Sequence, residues 1–310
     1  SYPLVSRHLS RLSGAGGGDE SQLTAKVEQV RRLAGKTKAE QVRRLARRAL
    51  RKKIRGLSRP LGILSAENIY SMKLPEIEEL HAFLAGMIQN IDVMVYIRSP
   101  KSQIESGFQE RLKHGATDLE RKYQLNHARR IKFFDDIFGS ERVHVYKYAR
   151  ENFPSGDVVA HFMGELGLPY RASKTEKANT GLSLPATQLL YLYRTVYPEL
   201  EPIDREVVAQ LSGLPGDRLH FHSSLYKRIH NLDTAASRSF EERAGFSNDE
   251  DITAHDDIGI RCESDLMDIP GSSIGWLADK VGPSHVGKGE VREIADSVRA
   301  LGKLKAQVVR

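Results

Sequence analysis

The chain has 310 residues, of which 40% are hydrophobic and 28% are charged, a composition typical of a globular protein. No run of the sequence approaches the roughly 18 to 20 apolar residues that a membrane-spanning helix needs. Cys262 is the only cysteine, which excludes an intramolecular disulfide and a thiolate metal cluster. The single cysteine and the lack of a signal-peptide pattern favour a cytoplasmic protein, although the start at Ser1 leaves an upstream targeting segment open.

Positive charge is concentrated at the start of the chain. Residues 1–59 contain 16 lysines and arginines against four acidic residues, a net of +12, so the other 251 residues carry a net of −5. Residues 23–54 have a basic helical pattern that we expect to break near residues 35–38. Two interpretations stay open: an arm that binds a polyanion such as a sulfated or uronic-acid glycan, or a solvated helix face. The segment lacks aromatic residues for base stacking, which argues against nucleic acid.

Strand and helix patterns alternate after this basic segment. Residues 60–65 form a short apolar run that predicts a strand, and residues 75–90 predict a helix with a proline in its first turn. The apolar run at residues 93–97 predicts a second, buried strand, and a helix follows that ends near residues 114–115. The order strand, helix, strand, helix is typical of a parallel sheet with right-handed crossovers.

The later elements are predicted to be mostly helical. A third strand is expected at residues 142–148, and helices are predicted at residues 118–138, 157–166, 185–197, 204–211, 223–244 and 285–308. Residues 171–181 are predicted to be a polar loop, and the acidic stretch at residues 249–268 is ambiguous. We predict three parts of the chain: a basic, largely helical segment at residues 1–59, an α/β core at residues 60–200, and a mostly helical region at residues 201–310 that packs on the core.

Two residues that could bind a ligand lie at the end of the second predicted strand and in the helix that follows it. Arg98 follows that strand directly, and Ser106 lies eight residues further on in the next helix. A guanidinium at a strand end and a hydroxyl from the following helix could both donate hydrogen bonds to one phosphate group. Their position fits a binding site, because ligands bind at the carboxyl ends of parallel strands. The alternative is that Arg98 caps the sheet edge and Ser106 is a helix-surface residue. The histidines are too scattered for a metal pattern, since His220 and His222 have no third ligand at a recognisable spacing.

The segment VMVYIRSPKSQIESGFQ resembles the 3′-phosphate-binding segment of sulfotransferases that use 3′-phosphoadenosine 5′-phosphosulfate (PAPS). Further similar stretches occur in the family's order between residues 60 and 200, namely LGILSAENIY, FFDDIFGSERVHVYKYARENFPSGDVVAHFMGELGL and KANTGLS. The resemblance implies that Arg98 and Ser106 hold the 3′-phosphate. It implies an α/β fold with a parallel sheet of the P-loop NTPase-like (sulfotransferase) type, flanked by helices and followed by a helical C-terminal region.

The family's other signature, a Lys-Ser/Thr-Gly-Thr-Thr-like loop for the 5′-phosphosulfate, has no counterpart in residues 1–60. The sequence is therefore expected to be a fragment that lacks this unit, or else a homologue that has lost donor activity. In this family a His or Glu near the end of the strand before the arginine strand is the general base, which implies Glu67. Glu67 could equally be a helix-start carboxylate. The expected function is transfer of a sulfuryl group from PAPS to a hydroxyl or amine of a carbohydrate or small molecule without a metal. The alternative is an inactive protein that binds a nucleotide or polyanion.

Overall fold

The computed structural model describes residues 35–56, 61–170, 181–248, 250–283 and 290–304, excluding the side chains of residues 35–43 and of Glu67. Helices predominate in this part of the chain, and no described helix combines the length and apolarity needed to cross a membrane. The helices are α1 (Gly35–Arg55), α2 (Leu74–Ala85), α3 (Pro100–Lys113), α4 (His127–Phe138), α5 (Val158–Glu165), α6 (Leu184–Val196), α7 (Asp204–Leu211), α8 (Ser223–Ile229), α9 (Thr234–Ala244), α10 (Glu263–Met267), α11 (Gly271–Val281) and α12 (Val291–Leu301).

Two strands, β1 (Val93–Ile97) and β2 (Val143–Lys147), pair in a small parallel sheet. Val95 and Ile97 of β1 and Val143 of β2 are buried, as expected for apolar strands covered by helices. The prediction of an α/β fold that combines helices with a parallel sheet is confirmed. The P-loop NTPase-like type of sheet stays a prediction.

The strand predicted at residues 60–65 is wrong over its described part. Residues 61–65 form no strand, and the side chains of Leu61 and Ile63 are 43% and 49% exposed. An apolar run becomes a strand only when a neighbouring strand pairs with its backbone and its side chains are buried, because these gains offset the entropy of ordering the chain. A short apolar run by itself carries no information about that partner.

Several predicted helices are shorter or divided in the structure. Helix α2 ends at Ala85, and α4 begins at His127 rather than at residue 118. The predicted helix at residues 223–244 is two helices, because the chain turns after Ile229 and Asp233 caps a new helix by accepting a hydrogen bond from the Ala236 N–H. Residues 35–38, where a break was expected, form the first turn of α1, and the residues before them lie outside the described part of the chain.

Two compact units make up the chain, and the first contains the described residues up to Val95 together with His127–Tyr146. In this unit α2 packs against α4, and Ile77 of α2 and Ile131 and Phe134 of α4 are buried. Tyr70 stacks on Phe134, and its hydroxyl lies 2.7 Å from His127 Nδ1. Burial raises the pKa of the Tyr70 hydroxyl well above its ordinary value, so this hydroxyl stays neutral at physiological pH.

The second unit contains Tyr96–Asn126 and the described residues from Lys147 onward. Its core surrounds α6, in which nine consecutive residues from Ala186 to Arg194 are buried. A helix that is covered on every side must have neighbours all round it, and α3, α7, α10, α11 and α12 all pack on α6. Ile104, Phe108 and Leu112 form the buried face of α3 against this core, as their spacing predicts. The division at residues 59 and 200 stays a prediction.

Gly259 allows two segments of the second unit to approach each other closely. Its neighbour Ile260 pairs with the backbone of His220 and His222 through hydrogen bonds of 2.9 Å. A Cβ atom on residue 259 would lie 2.6 Å from the His222 nitrogen and 2.9 Å from the His255 carbonyl oxygen. These are backbone atoms, which cannot move aside as a flexible side chain can.

Gly259→Ala is therefore expected to lower the free energy of unfolding by about 1 to 3 kcal/mol, measured by chemical denaturation. Gly275→Ala is the matched control, because no atom lies within 4 Å of its added Cβ and residue 275 is inside α11. We expect the control to be more stable than the wild type by about 0.5 to 1 kcal/mol. Equal stability of the two variants would contradict the close approach at Gly259.

Candidate functional site

Arg98 and Ser106 lie next to each other in the structure. Arg98 directly follows β1, Ser99 is the N-cap of α3, and Ser106 lies in the second turn of α3. The Arg98 Nη1 donates a hydrogen bond to the Ser106 Oγ over 3.4 Å. The distance is near the limit for a hydrogen bond, which leaves room for a shared ligand to become the better acceptor for both groups.

The Arg98 guanidinium lies over an aromatic ring and is accessible to solvent. Its central carbon is 4.7 Å from the centre of the Tyr148 ring, a distance at which a cation–π contact orients the guanidinium. Tyr148 follows β2 as Arg98 follows β1, and its backbone N–H donates to the Ile97 carbonyl over 2.7 Å. Within the described residues, no carboxylate forms an ion pair with Arg98. An exposed, oriented cation without an acidic partner is suited to bind an anion.

The start of α3 is capped by a carboxylate from a distant part of the chain. Glu250 accepts hydrogen bonds from the Ser99 hydroxyl over 2.8 Å and from the Lys101 backbone N–H over 2.5 Å. Pro100 has no N–H to offer, so the first backbone donor of this helix is the Lys101 N–H, which Glu250 already accepts. In the same segment, the Asn248 side-chain amide donates to the Arg98 carbonyl over 3.4 Å. An incoming anion would therefore be held by the side chains of Arg98 and Ser106 and not by the end of the helix.

Glu250→Ala is expected to lower the free energy of unfolding by about 1 to 2 kcal/mol, because it removes the cap of α3 and the carboxylate that favours the positive end of the helix dipole. Chemical denaturation measures this loss. Glu242→Ala is the control, since Glu242 is exposed on α9, and a change of less than about 0.5 kcal/mol is expected there. The same loss in both variants would show that Glu250 does not cap α3.

Glu67, the third residue predicted from the sequence, begins a short 3₁₀ helix that runs to Ile69. Its side chain lies outside the described residues, and it belongs to the first unit while Arg98 and Ser106 belong to the second. The structure thus brings Arg98 and Ser106 together and gives no distance from either to Glu67. The catalytic role of Glu67 stays a prediction.

The two histidines considered as metal ligands have other contacts. The His220 ring stacks on His255 with 3.8 Å between ring centres, and its Nδ1 lies 3.5 Å from a Glu105 carboxylate oxygen. His222 caps α8, with its Nδ1 accepting from the Ser224 backbone N–H over 3.0 Å. In the part of the chain that the structure describes, no group of three or more His, Cys, Asp or Glu side chains could hold a metal ion.

Sequence reasoning did not single out Tyr148 or Glu250. Tyr148 could have been found, because it ends the predicted strand at residues 142–148, and parallel strands end at the same edge of a sheet. Glu250 had no local signal, since 149 residues separate it from the Lys101 N–H that it binds. It lies in an acidic stretch whose pattern favours neither a helix nor a strand.

No known family profile, no curated protein and no solved structure matches this chain.

Proposed function

We propose that the pair formed by Arg98 and Ser106 is the 3′-phosphate site of a PAPS-dependent sulfotransferase. The observation that carries this proposal is an exposed guanidinium at the carboxyl end of a parallel strand, with the Ser106 hydroxyl 3.4 Å away and no acidic partner among the described residues. Further support comes from Tyr148, whose ring orients the guanidinium. A phosphate monoester that is doubly charged near neutral pH would accept hydrogen bonds from both side chains at once.

The chemistry proposed for this site is sulfuryl transfer to a hydroxyl or amine of a carbohydrate or small molecule. The acceptor oxygen or nitrogen attacks sulfur in line with the bond between sulfur and the 5′-phosphate oxygen of PAPS. That bond breaks, and adenosine 3′,5′-bisphosphate leaves through its 5′-phosphate. Arg98 and Ser106 bind and orient the nucleotide at its 3′-phosphate, away from the reacting atoms. A general base must take the acceptor's proton, and Glu67 is the residue proposed for that role.

The direct test is titration of the full chain with adenosine 3′,5′-bisphosphate by isothermal calorimetry, with adenosine 5′-monophosphate as the matched ligand. The two ligands differ only in the 3′-phosphate, so the proposal requires the bisphosphate to bind at least roughly tenfold more tightly. Equal affinity for the two nucleotides would overturn the assignment of this site.

Transfer itself is tested separately, with labelled PAPS and a panel of carbohydrate and small hydroxyl acceptors. Where the wild type transfers the sulfuryl group, Glu67→Gln is expected to abolish transfer while leaving the affinity for the bisphosphate unchanged, because the variant keeps the size of the side chain and removes only its basicity. Bisphosphate binding without transfer in the wild type would favour the alternative of a nucleotide-binding protein that performs no transfer.

A further inference from the structure

Helix α1 carries a continuous row of arginines. Seven of its residues from position 44 to position 55 are lysine or arginine, and none of these twelve is acidic. Arg44, Arg48, Arg51 and Arg55 follow one another at spacings of four, three and four residues. On an α-helix these positions fall within an arc of about 60° and span about 16 Å. The row is therefore straight, narrow and composed of a single residue type.

All four side chains of this arginine row are exposed. The row is fixed along one edge by α2, because the guanidinium of Arg51 lies 5.5 Å from the centre of the Phe83 ring and Arg47 pairs with Glu79. In the described part of the chain, no carboxylate pairs with Arg44, Arg48 or Arg55. Like charges four residues apart on a helix repel each other, and a bound polyanion would remove this repulsion.

We propose that the arginine row of α1 binds an extended anionic polysaccharide that carries sulfate or carboxylate groups. Guanidinium groups bind such planar or tetrahedral oxyanions through paired hydrogen bonds, and a row of them matches a polymer with regularly repeated charge. Residues 44–55 contain no aromatic side chain on which an unpaired base could stack, which favours a polysaccharide over single-stranded nucleic acid. The row shares no residue with the nucleotide site, so either site can exist without the other.

The test is the affinity of the full chain for heparin, a polysaccharide with both sulfate and carboxylate groups, measured at several salt concentrations. The variant Arg44→Gln/Arg48→Gln/Arg55→Gln removes three charges from the row and keeps good helix formers in α1. We expect it to bind heparin at least tenfold more weakly at about 0.1 M salt and to have a flatter salt dependence, since fewer counter-ions are displaced.

The control is Arg150→Gln/Arg238→Gln/Lys303→Gln, which removes three exposed cations elsewhere and changes the net charge by the same amount. It should keep the affinity within about twofold, because the site is local and not a consequence of the overall charge. An equal loss in the two triple variants would overturn the proposal. Far-UV circular dichroism of both variants verifies that α1 remains folded.

Two further measurements sharpen the outcome. Arg48→Gln and Lys53→Gln each remove one exposed charge from α1, but only Arg48 lies in the row, so only Arg48→Gln should weaken heparin binding. A duplex DNA of comparable charge should bind more weakly than heparin under the same conditions. DNA that binds as tightly as heparin, with the same loss in the row variant, would overturn the assignment to a polysaccharide.

Discussion

Arg98→Ala is expected to weaken the binding of adenosine 3′,5′-bisphosphate by about 2 to 5 kcal/mol, or about 30-fold to a few thousand-fold in the dissociation constant. The variant removes the guanidinium that lies 3.4 Å from the Ser106 hydroxyl and leaves that hydroxyl as the only side-chain donor of the pair. Isothermal calorimetry measures the change. Arg98→Lys should fall between the wild type and the alanine variant, because it keeps the charge but loses the two-pronged geometry.

Ser106→Ala should cost less, about 0.5 to 1.5 kcal/mol, since a neutral hydroxyl contributes a weaker hydrogen bond than a guanidinium. Arg238→Ala is the control for the loss of a positive charge, because Arg238 is exposed on α9. Unchanged affinity in Arg98→Ala would refute the assignment of Arg98 even if the protein binds the nucleotide. If Arg238→Ala weakens binding as much, the effect is one of overall charge and not of the site.

Arg194→Met is expected to lower the free energy of unfolding by about 3 to 5 kcal/mol near neutral pH, because it leaves the buried Asp204 carboxylate without its cation. Arg194 is 1% exposed, and its Nη1 donates to Asp204 over 2.7 Å. The same guanidinium donates to the carbonyls of Leu112 and Lys113 over 3.3 and 3.0 Å. These carbonyls end α3, so the loss of Arg194 also uncaps the helix that carries Ser106.

The destabilisation should depend on pH in a defined direction. Burial by itself raises the pKa of the Asp204 carboxyl, but hydrogen bonds from Tyr193 and Arg194 outweigh it and hold that pKa below its ordinary value. A lowered pKa in the folded state means that Asp204 stabilises the wild type above the unfolded pKa, and that this contribution is lost as the pH falls. In Arg194→Met the buried carboxylate lacks its cation and takes up a proton at a higher pH than in the wild type, so the difference in stability between variant and wild type should shrink as the pH falls from neutral towards the ordinary pKa of about 4 and below it.

Two comparisons isolate the ion pair from other effects of Arg194→Met. Arg238→Met removes an exposed arginine from α9 and should change the stability by less than about 0.5 kcal/mol. Arg194→Met/Asp204→Asn removes both charges, and the introduced amide can still accept a hydrogen bond from Tyr193, so the double variant should be more stable than Arg194→Met. A double variant whose losses simply add would contradict an interacting buried pair.

Features that depend on near neighbours along the chain were predictable from the sequence. The apolar run of β1 and the helical spacing of Ile104, Phe108 and Leu112 predicted the strand and the helix that place Arg98 beside Ser106. Local periodicity decides which face of a helix is buried. The eight residues from Arg98 to Ser106 cover only the end of β1 and the first two turns of α3, so local geometry places the two side chains near each other. The basic character of α1 was evident for the same reason, because it is a property of composition.

Features that depend on partners far along the chain became visible only in the folded protein. Residues 61–65, the described part of the strand expected at residues 60–65, form no strand, because pairing and burial are supplied by other segments and not by the run itself. Glu250 caps α3 across 149 residues, and Arg194 binds its last carbonyls across 82 and 81 residues. Polar groups find such partners only when folding brings the segments together, since an isolated helix end is equally satisfied by water.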